Sequence, residues 1–423
     1  MRLESSVLSV AIASLFSVAL PVMAQDSGKP SGIPWGPVVA YPEVDLSFKN
    51  DDNIYSQHSS RNRNSSNIFI VAPKIKLEAK DGPHVYDLGY KVERGTHSFS
   101  STDNYTDQAL SANAAWKFSG RSGLKLSADY TLGHDARGAV PGVGHNAPDK
   151  YHQTSLNGLY GYGAEGAQGR FELEAGWISK RFDNFRFDTT ANANPDNVKR
   201  DRDDAKLGGT FFWRIAPKTQ LVLLVVQTNY DYKAASFNNG SGSWTTLDST
   251  DRKYQAGVTW DATANTTGIF KVGTVRKNFS DASRNDFSQS GWEGTVKWSP
   301  LTYSNFDFVS SRLPSESTVA GASRDTRHGA TWNHVWSSQF STALSYNFTE
   351  STYEYSATDT RPVSGSQKDK TAALGLKLNY KWTRNIKLGA GYDRTDKTSS
   401  NFVGTNDPGY KKNIFSVFLN AAI

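Results

Sequence analysis

Leu110–Leu132 reads LSANAAWKFSGRSGLKLSADYTL, and its alternation decides the fold. Leu110, Ala112, Ala114, Trp116 and Phe118 share one face of an extended chain. After the turn Ser119–Gly123, Leu124, Leu126, Ala128, Tyr130 and Leu132 share one face again, which makes strand, tight turn, strand. The opposite face carries Ser111, Asn113, Lys117, Lys125, Ser127, Asp129 and Thr131. One side of this hairpin requires an apolar medium and the other requires water. In a soluble sandwich the apolar side would be protein core. Here the pattern recurs to the last residue with no helical segment, which predicts an all-β, transmembrane antiparallel β-barrel with lipid outside and a polar lumen inside.

Composition agrees. The chain has 423 residues, 37% of them hydrophobic, with a mean hydropathy of −0.56. After the N-terminal segment no apolar run approaches the roughly 20 residues of a spanning helix. The longest, Leu221–Val226, suits a strand with lipid on one side. The absence of cysteine rules out disulfides and thiolate metal sites. A formal charge of +6 and a pI of about 9.1 are mild for this length and lack the clustered basic face of a nucleic-acid binder. They permit a preference for anions.

Val7–Leu20 is apolar, preceded by Arg2 and followed by Pro21 and Val22-Met23-Ala24, so residues 1–24 read as a secretory signal peptide. Residues 25–41, rich in glycine and proline, read as a periplasmic leader unable to form a helix or a paired strand, and 42–423 as the barrel. Pro73 marks an expected bulge in the second strand, where Ile70 and Ala72 would give way to Ile75 and Leu77 as the outward set.

Short and long connections then alternate. Short turns fall near Lys80–Pro83, Ser119–Gly123, Gly163–Gly169, Ala216–Lys218, Ala262–Thr267, Ser299–Thr302, Ser337–Gln339 and Thr383–Asn385. Long polar loops fall near Lys49–Ser66, Arg94–Thr106, Gly133–Lys150, Phe182–Asp204, Lys233–Arg252, Ser280–Asp286, Leu313–Asp325, Glu354–Lys370 and Thr395–Pro408. Periplasmic turns are short and extracellular loops long in such barrels, and counting the runs between them gives about 18 strands. Beside the short turns stand Trp116, Tyr162, Trp213, Trp260, Trp298, Trp332 and Trp382, the pattern of an interfacial aromatic girdle. The alternative, that aromatics simply favour strands, accounts for their presence but not for their position. The closing strand ends at Ile423, where an aromatic is usual for recognition by the barrel-assembly machinery.

Catalytic chemistry finds little support. Gly161-Tyr-Gly163-Ala-Glu-Gly166 matches a dinucleotide fingerprint, but a strand follows it where the mechanism needs a helix. His134, Asp135, His145 and His152 lie in or beside one loop and read as solvated rather than catalytic. The acidic loop with Asp183, Asp188, Asp196, Asp201, Asp203 and Asp204 offers Ca²⁺ oxygens, yet Lys199, Arg200 and Arg202 interleave it, as in a solvated mixed-charge loop. No enzyme, cofactor or metal is expected. By parity the lumen receives Lys125, Asp129, Lys180, Lys206, Arg214, Lys271, Lys297 and Lys377, with Phe212 the clear inward aromatic. The glycine- and proline-rich loop Gly133–Lys150 would fold inward and bring Arg137 to a constriction that favours anions. Otherwise it is an outward lid with Arg137 paired to Asp135.

The Pro73-centred strand, His134-Asp135-Ala136-Arg137-Gly138, Ile269-Phe-Lys-Val-Gly273 and Trp332-Asn-His334 together resemble the "putative β-barrel porin" family found with exopolysaccharide biosynthesis systems of Gram-negative bacteria. The resemblance implies an outer-membrane channel that lets a secreted polysaccharide out passively, with the lipid bilayer and periplasmic synthesis and export proteins as partners and no nucleic acid. A general or saccharide-selective uptake porin is the alternative expectation.

Overall fold

A computed structural model describes residues 31–138, 145–164, 166–186, 197–238, 243–263, 265–282, 284, 286–317, 321–354, 366–402 and 407–423. Residues 1–24 lie outside them. Among the described residues 18 antiparallel strands close into a barrel. The first six are β1 (Val38–Asp51), β2 (Ser66–Asp81), β3 (His84–His97), β4 (Tyr105–Lys117), β5 (Ser122–Asp135) and β6 (Asp149–Tyr162). Then come β7 (Gly169–Phe182), β8 (Arg202–Ala216), β9 (Thr219–Tyr232), β10 (Ser249–Thr263), β11 (Thr266–Phe279) and β12 (Phe287–Leu301). The last six are β13 (Ser304–Ser317), β14 (Gly321–Val335), β15 (Phe340–Glu354), β16 (Lys368–Lys381), β17 (Ile386–Ser400) and β18 (Tyr410–Ala422). Each pairs with its sequence neighbour, and β18 returns to β1 from Glu43 opposite Ala422 to Asp51 opposite Ile414. Closure satisfies the backbone hydrogen bonds that lipid cannot.

Outward positions are apolar and face the bilayer: Phe48, Leu88, Leu126, Leu223, Val272 and Leu376 are all exposed on the protein surface. Inward positions alternate with them and carry most of the lysines and carboxylates. The proposed girdle is present. Trp116, Tyr162, Trp213, Trp260, Trp298 and Trp332 point outward at the short-turn end of their strands, and Trp382 follows β16 directly. Their polar ends are satisfied locally: Trp116 Nε1 donates to Tyr86 Oη at 3.0 Å and Trp332 Nε1 to Ser304 Oγ at 2.9 Å. Such rings sit where an apolar body and a polar tip are both accommodated.

Three readings of the sequence are corrected. Pro73 makes no bulge: the register with β1 runs unbroken from Ala79 opposite Val38 to Ser66 opposite Asp51. Ile70 and Ala72 therefore point inward, where they are buried, and Ile75 and Leu77 outward. Leu313–Asp325 and Thr395–Ser400 are largely paired strand, with Leu313 opposite Asp325 and Thr395 opposite Ala373. Strands of 13 to 16 residues exceed the roughly 9–11 needed to cross hydrocarbon. The surplus projects into water on the long-loop side, so its polar composition gave no strand signal. Finally, Ile33–Trp35 pairs with Val38–Ala40 across a turn where Gly36 takes φ 59°, so the proline-rich leader does form a paired strand at its end. Pro34 is tolerated there because the segment is an edge.

Candidate functional site

The lumen is the candidate site, and its wall is built of neutralised charge. Lys271 and Lys253 converge on Glu293 at 3.0 and 2.7 Å, Lys206 meets Glu174 at 2.8 Å, and Lys277 meets Asp251 at 3.0 Å. Lys74 bridges Glu43 and Asp45, which Asn420 also contacts. Lys297 stands opposite Asp307 in the register of β12 and β13. Lys377 Nζ lies 4.6 Å from the centre of the inward Phe418 ring. Lys125 and Asp129 share the inward face of β5, and Arg214 sits at the short-turn end beside Gly166. The expected lumen residues are thus all inward on the wall, but they are spread from one mouth to the other and do not gather at one constriction.

The extracellular mouth is where the loops do converge. Asp135 and Asp149 end β5 and β6 directly opposite each other, and both are buried. Arg200, from a single 3₁₀ turn at Asn197–Arg200, bridges them: it reaches Asp149 at 2.7 Å and also contacts Asp135. Its guanidinium stacks 3.9 Å above the inward Phe182 ring. His145 Nδ1 contacts Asp149 at 2.6 Å while its ring stacks on Phe185 at 4.1 Å. Lys180 Nζ lies 3.9 Å from Asp135 and 3.7 Å from the Tyr151 ring centre. Asp201, 1% exposed, accepts from Phe182 N at 2.7 Å and pairs with Arg186 at 2.9 Å. The loop after β7 is therefore pinned onto the inner wall of the mouth. Among the described residues this corrects its reading as a solvated mixed-charge loop: Arg200, Asp201, Asp203 and Asp204 pair with neighbouring side chains and with strand ends, while Asp188 and Asp196 lie outside the described residues.

Arg137 is placed differently from either alternative drawn from the sequence. It turns to Asp103, Ser100 and Tyr55, and leaves Asp135 to Arg200. Gly138, at φ 78°, lies so close to the Tyr55 carbonyl that a Cβ there would come within 2.0 Å. The loops after β1, β3 and β5 are stitched together at this point. Burial opposes ionisation of Asp103, but the hydrogen bonds from Arg137 and Ser100 hold its pKa below the usual carboxylate value; the same pair raises that of Arg137. Residues 139–144, the tip of the loop expected to fold inward, lie outside the described residues, and only its two stems are described.

The three loop histidines are tied to separate carboxylates: His134 to Asp107 at 2.9 Å, His145 to Asp149, and His152 to Asp183 at 2.7 Å. No triad is gathered from them. Among the described residues no group of three or more metal-ligating side chains occurs. Inward aromatics were undercounted from the sequence. Phe212 is joined by Tyr105, Tyr151, Phe182, Tyr353 and Phe418, most of them near strand ends that read as loop. Period-two parity carried past the apolar stretch would have found them.

No curated protein matches the chain in sequence. Among solved structures, OpdQ of Pseudomonas aeruginosa is 11% identical, with 91% of this chain and 97% of that chain covered at a TM-score of 0.48. OccAB4 of Acinetobacter baumannii is 12% identical over 91% and 97% at a TM-score of 0.45. The siderophore receptor PirA of Pseudomonas aeruginosa is 8% identical over 91% and 80%, also at 0.45. A family model described as "Putative beta-barrel porin 2" matches residues 26–422, nearly the whole chain. The chain belongs to that β-barrel porin family and is a porin-like channel of the outer membrane of a Gram-negative bacterium.

Proposed function

We propose that this barrel lets a secreted polysaccharide pass outward by diffusion, handed on by periplasmic synthesis and export proteins. The observation that supports it most is the chemistry of the wall: paired charges and amides along its length, with inward aromatic rings near the mouth. A hydrated sugar chain needs many weak hydrogen-bonding partners and no strong site, because a tight site would stop translocation. A barrel of about 18 strands is wide enough for an aqueous lumen.

One observation favours a second reading, uptake of a small polar solute. Arg200 and Asp201, from the loop after β7, pack on inward residues of the extracellular mouth, a place where a loop would restrict a long chain more than a small solute. Deleting the gene separates the two. Loss of surface polymer with normal growth on small solutes supports export; normal polymer with impaired growth on a saccharide or acid overturns it in favour of uptake.

A further inference from the structure

The outer surface carries a feature that the channel does not use. On four adjacent strands Gln227, Arg252, Arg276 and Ser288 stand in one row, each directly opposite the next in the β9–β10, β10–β11 and β11–β12 registers. All four face outward, because Lys277 and Val275 on either side of Arg276 point into the lumen and are buried. The rows nearer the membrane centre hold Val225 and Tyr254, then Leu223 and Val272, all exposed apolar side chains. The arginine row is therefore the first polar step at the extracellular edge of the apolar band, at headgroup depth.

Two arginines directly across a strand pair have Cβ atoms about 4.5–5.5 Å apart, and like charges so placed repel. The carboxylates in reach are engaged elsewhere. Asp231 holds Lys233 at 2.5 Å, Asp251 is inward on Lys277, and Asp286 accepts from Asn278 Nδ2 at 2.6 Å and from Phe279 N at 2.8 Å. Arg252 is oriented by Gln227, to whose Oε1 its Nε donates at 3.0 Å. Arg276, directly opposite Arg252 in the ladder, is exposed and makes no ion pair among the described residues. Opposite the outward Trp292 in the next pair of strands, Arg312 lies 5.7 Å from that ring, with its Nε buried and without a hydrogen-bond partner among the described residues.

Two arginines on directly opposed outward positions at headgroup level lack one thing: an anion with several oxygens. We propose that this row binds a phosphate of a phosphorylated glycolipid in the outer leaflet, with Arg252 and Arg276 as the phosphate clamp, Ser288 as a further donor, and Tyr254 and Val272 against the acyl region. Arginine suits this role because its planar fork meets a phosphate bidentately, which lysine cannot do. The bound lipid would relieve the repulsion between the two arginines and fix the orientation of this sector in the leaflet. The site lies on the opposite face of the sheet from the lumen, so it stands or falls independently of what the channel conducts.

Native mass spectrometry of the detergent-purified barrel titrated with lipid A tests it, with dephosphorylated lipid A and inorganic phosphate as parallel probes. The expected result is one tightly bound lipid A that R252S/R276S weakens at least about tenfold, the loss of two charge-assisted hydrogen bonds. R252K/R276K should fall between the two. Dephosphorylated lipid should bind wild type no better than the variant, and phosphate alone should not compete at equal concentration. Heat-modifiable migration and unchanged single-channel conductance verify that the variants are folded barrels. Equal affinity of wild type and R252S/R276S for lipid A overturns the proposal, as does equal affinity of wild type for the phosphorylated and dephosphorylated lipids.

Discussion

Replacing Arg200 by alanine tests whether the extracellular mouth is held by charge. In the native protein one guanidinium answers two buried carboxylates that face each other at the ends of β5 and β6. Without it, Asp135 keeps only Lys180 at 3.9 Å and Asp149 keeps His145 at 2.6 Å. Removing one partner of a buried pair costs about 3–5 kcal/mol. The remaining partners, the Lys180 ammonium and the His145 imidazole, offset part of this, so about 2–3 kcal/mol is expected, or a roughly 30- to 150-fold shift toward an open loop. The loss is local, because the barrel below is held by its own closed ladder.

Hydrogen exchange by mass spectrometry reads this directly. Phe182 N, bonded to Asp201 Oδ1 at 2.7 Å, and Asn197 N, bonded to the Phe185 carbonyl at 3.0 Å, should lose protection by that factor. Amides of β12 to β16, far from the mouth loop, should not change. R200K keeps a charge but cannot bridge two carboxylates in the same plane, so it should fall between. Adding D135N and D149N to R200A should restore much of the protection, since the cost lies in orphaned charge and not in lost packing. Unchanged exchange at Phe182 and Asn197 in R200A would refute the account of the mouth given above.

Other outcomes follow from the same geometry. Asp103 has a depressed pKa, so its contribution to loop docking is complete above the ordinary carboxylate pKa of about 4 and is lost as pH falls through the lower folded value. Proteolysis of the loop after β1 should therefore rise only below about pH 4 in wild type, and in D103N it should be raised already at neutral pH and flat with acidification. G138A should release the same stitch, because φ 78° and the 2.0 Å approach to Tyr55 both disfavour a side chain; about 1–3 kcal/mol of local destabilisation is expected, read by exchange at residues 52–56. E293Q leaves Lys253 and Lys271 facing the lumen together, and should raise the anion/cation permeability ratio by about two- to fourfold in planar-bilayer reversal potentials. An unchanged ratio would show that this triad does not touch the ion path.

Much of this architecture was legible in the sequence, and the reason is period two. Wherever lipid lies on one side, as at Leu124-Lys125-Leu126, the requirement for apolar side chains is absolute and parity assigns every neighbour to the lumen. The signal fails where water lies on both sides of a strand. Thr395–Ser400 and Leu313–Ser317 are strand because their backbones still pair, yet nothing there demands an apolar residue. The mouth network was illegible for a related reason. Asp135, Asp149 and Arg200 are far apart in sequence, and charged residues look alike whether solvated or buried on one another. Pro73 misled in the other direction, since proline at an outward position within this ladder was read as a break.

The distribution of charge then separates two tasks that composition alone merges. A net charge of +6 suggested an anion-selective lumen, but inside the barrel the lysines are matched with carboxylates: Lys206 with Glu174, Lys271 with Glu293, Lys397 with Asp369 at 2.8 Å. Such pairs cost little in a wet wall and leave no strong field for a passing solute to fall into. On the outer face, among the described residues, Arg276 and Arg394 are exposed without a carboxylate partner and Arg252 is held by the amide of Gln227. A wall that is balanced and an outer rim that is not are opposite solutions to one problem. Cations must be neutralised wherever water is scarce: the lumen does it with the chain's own acids, and the rim leaves it to the anions of the surrounding leaflet.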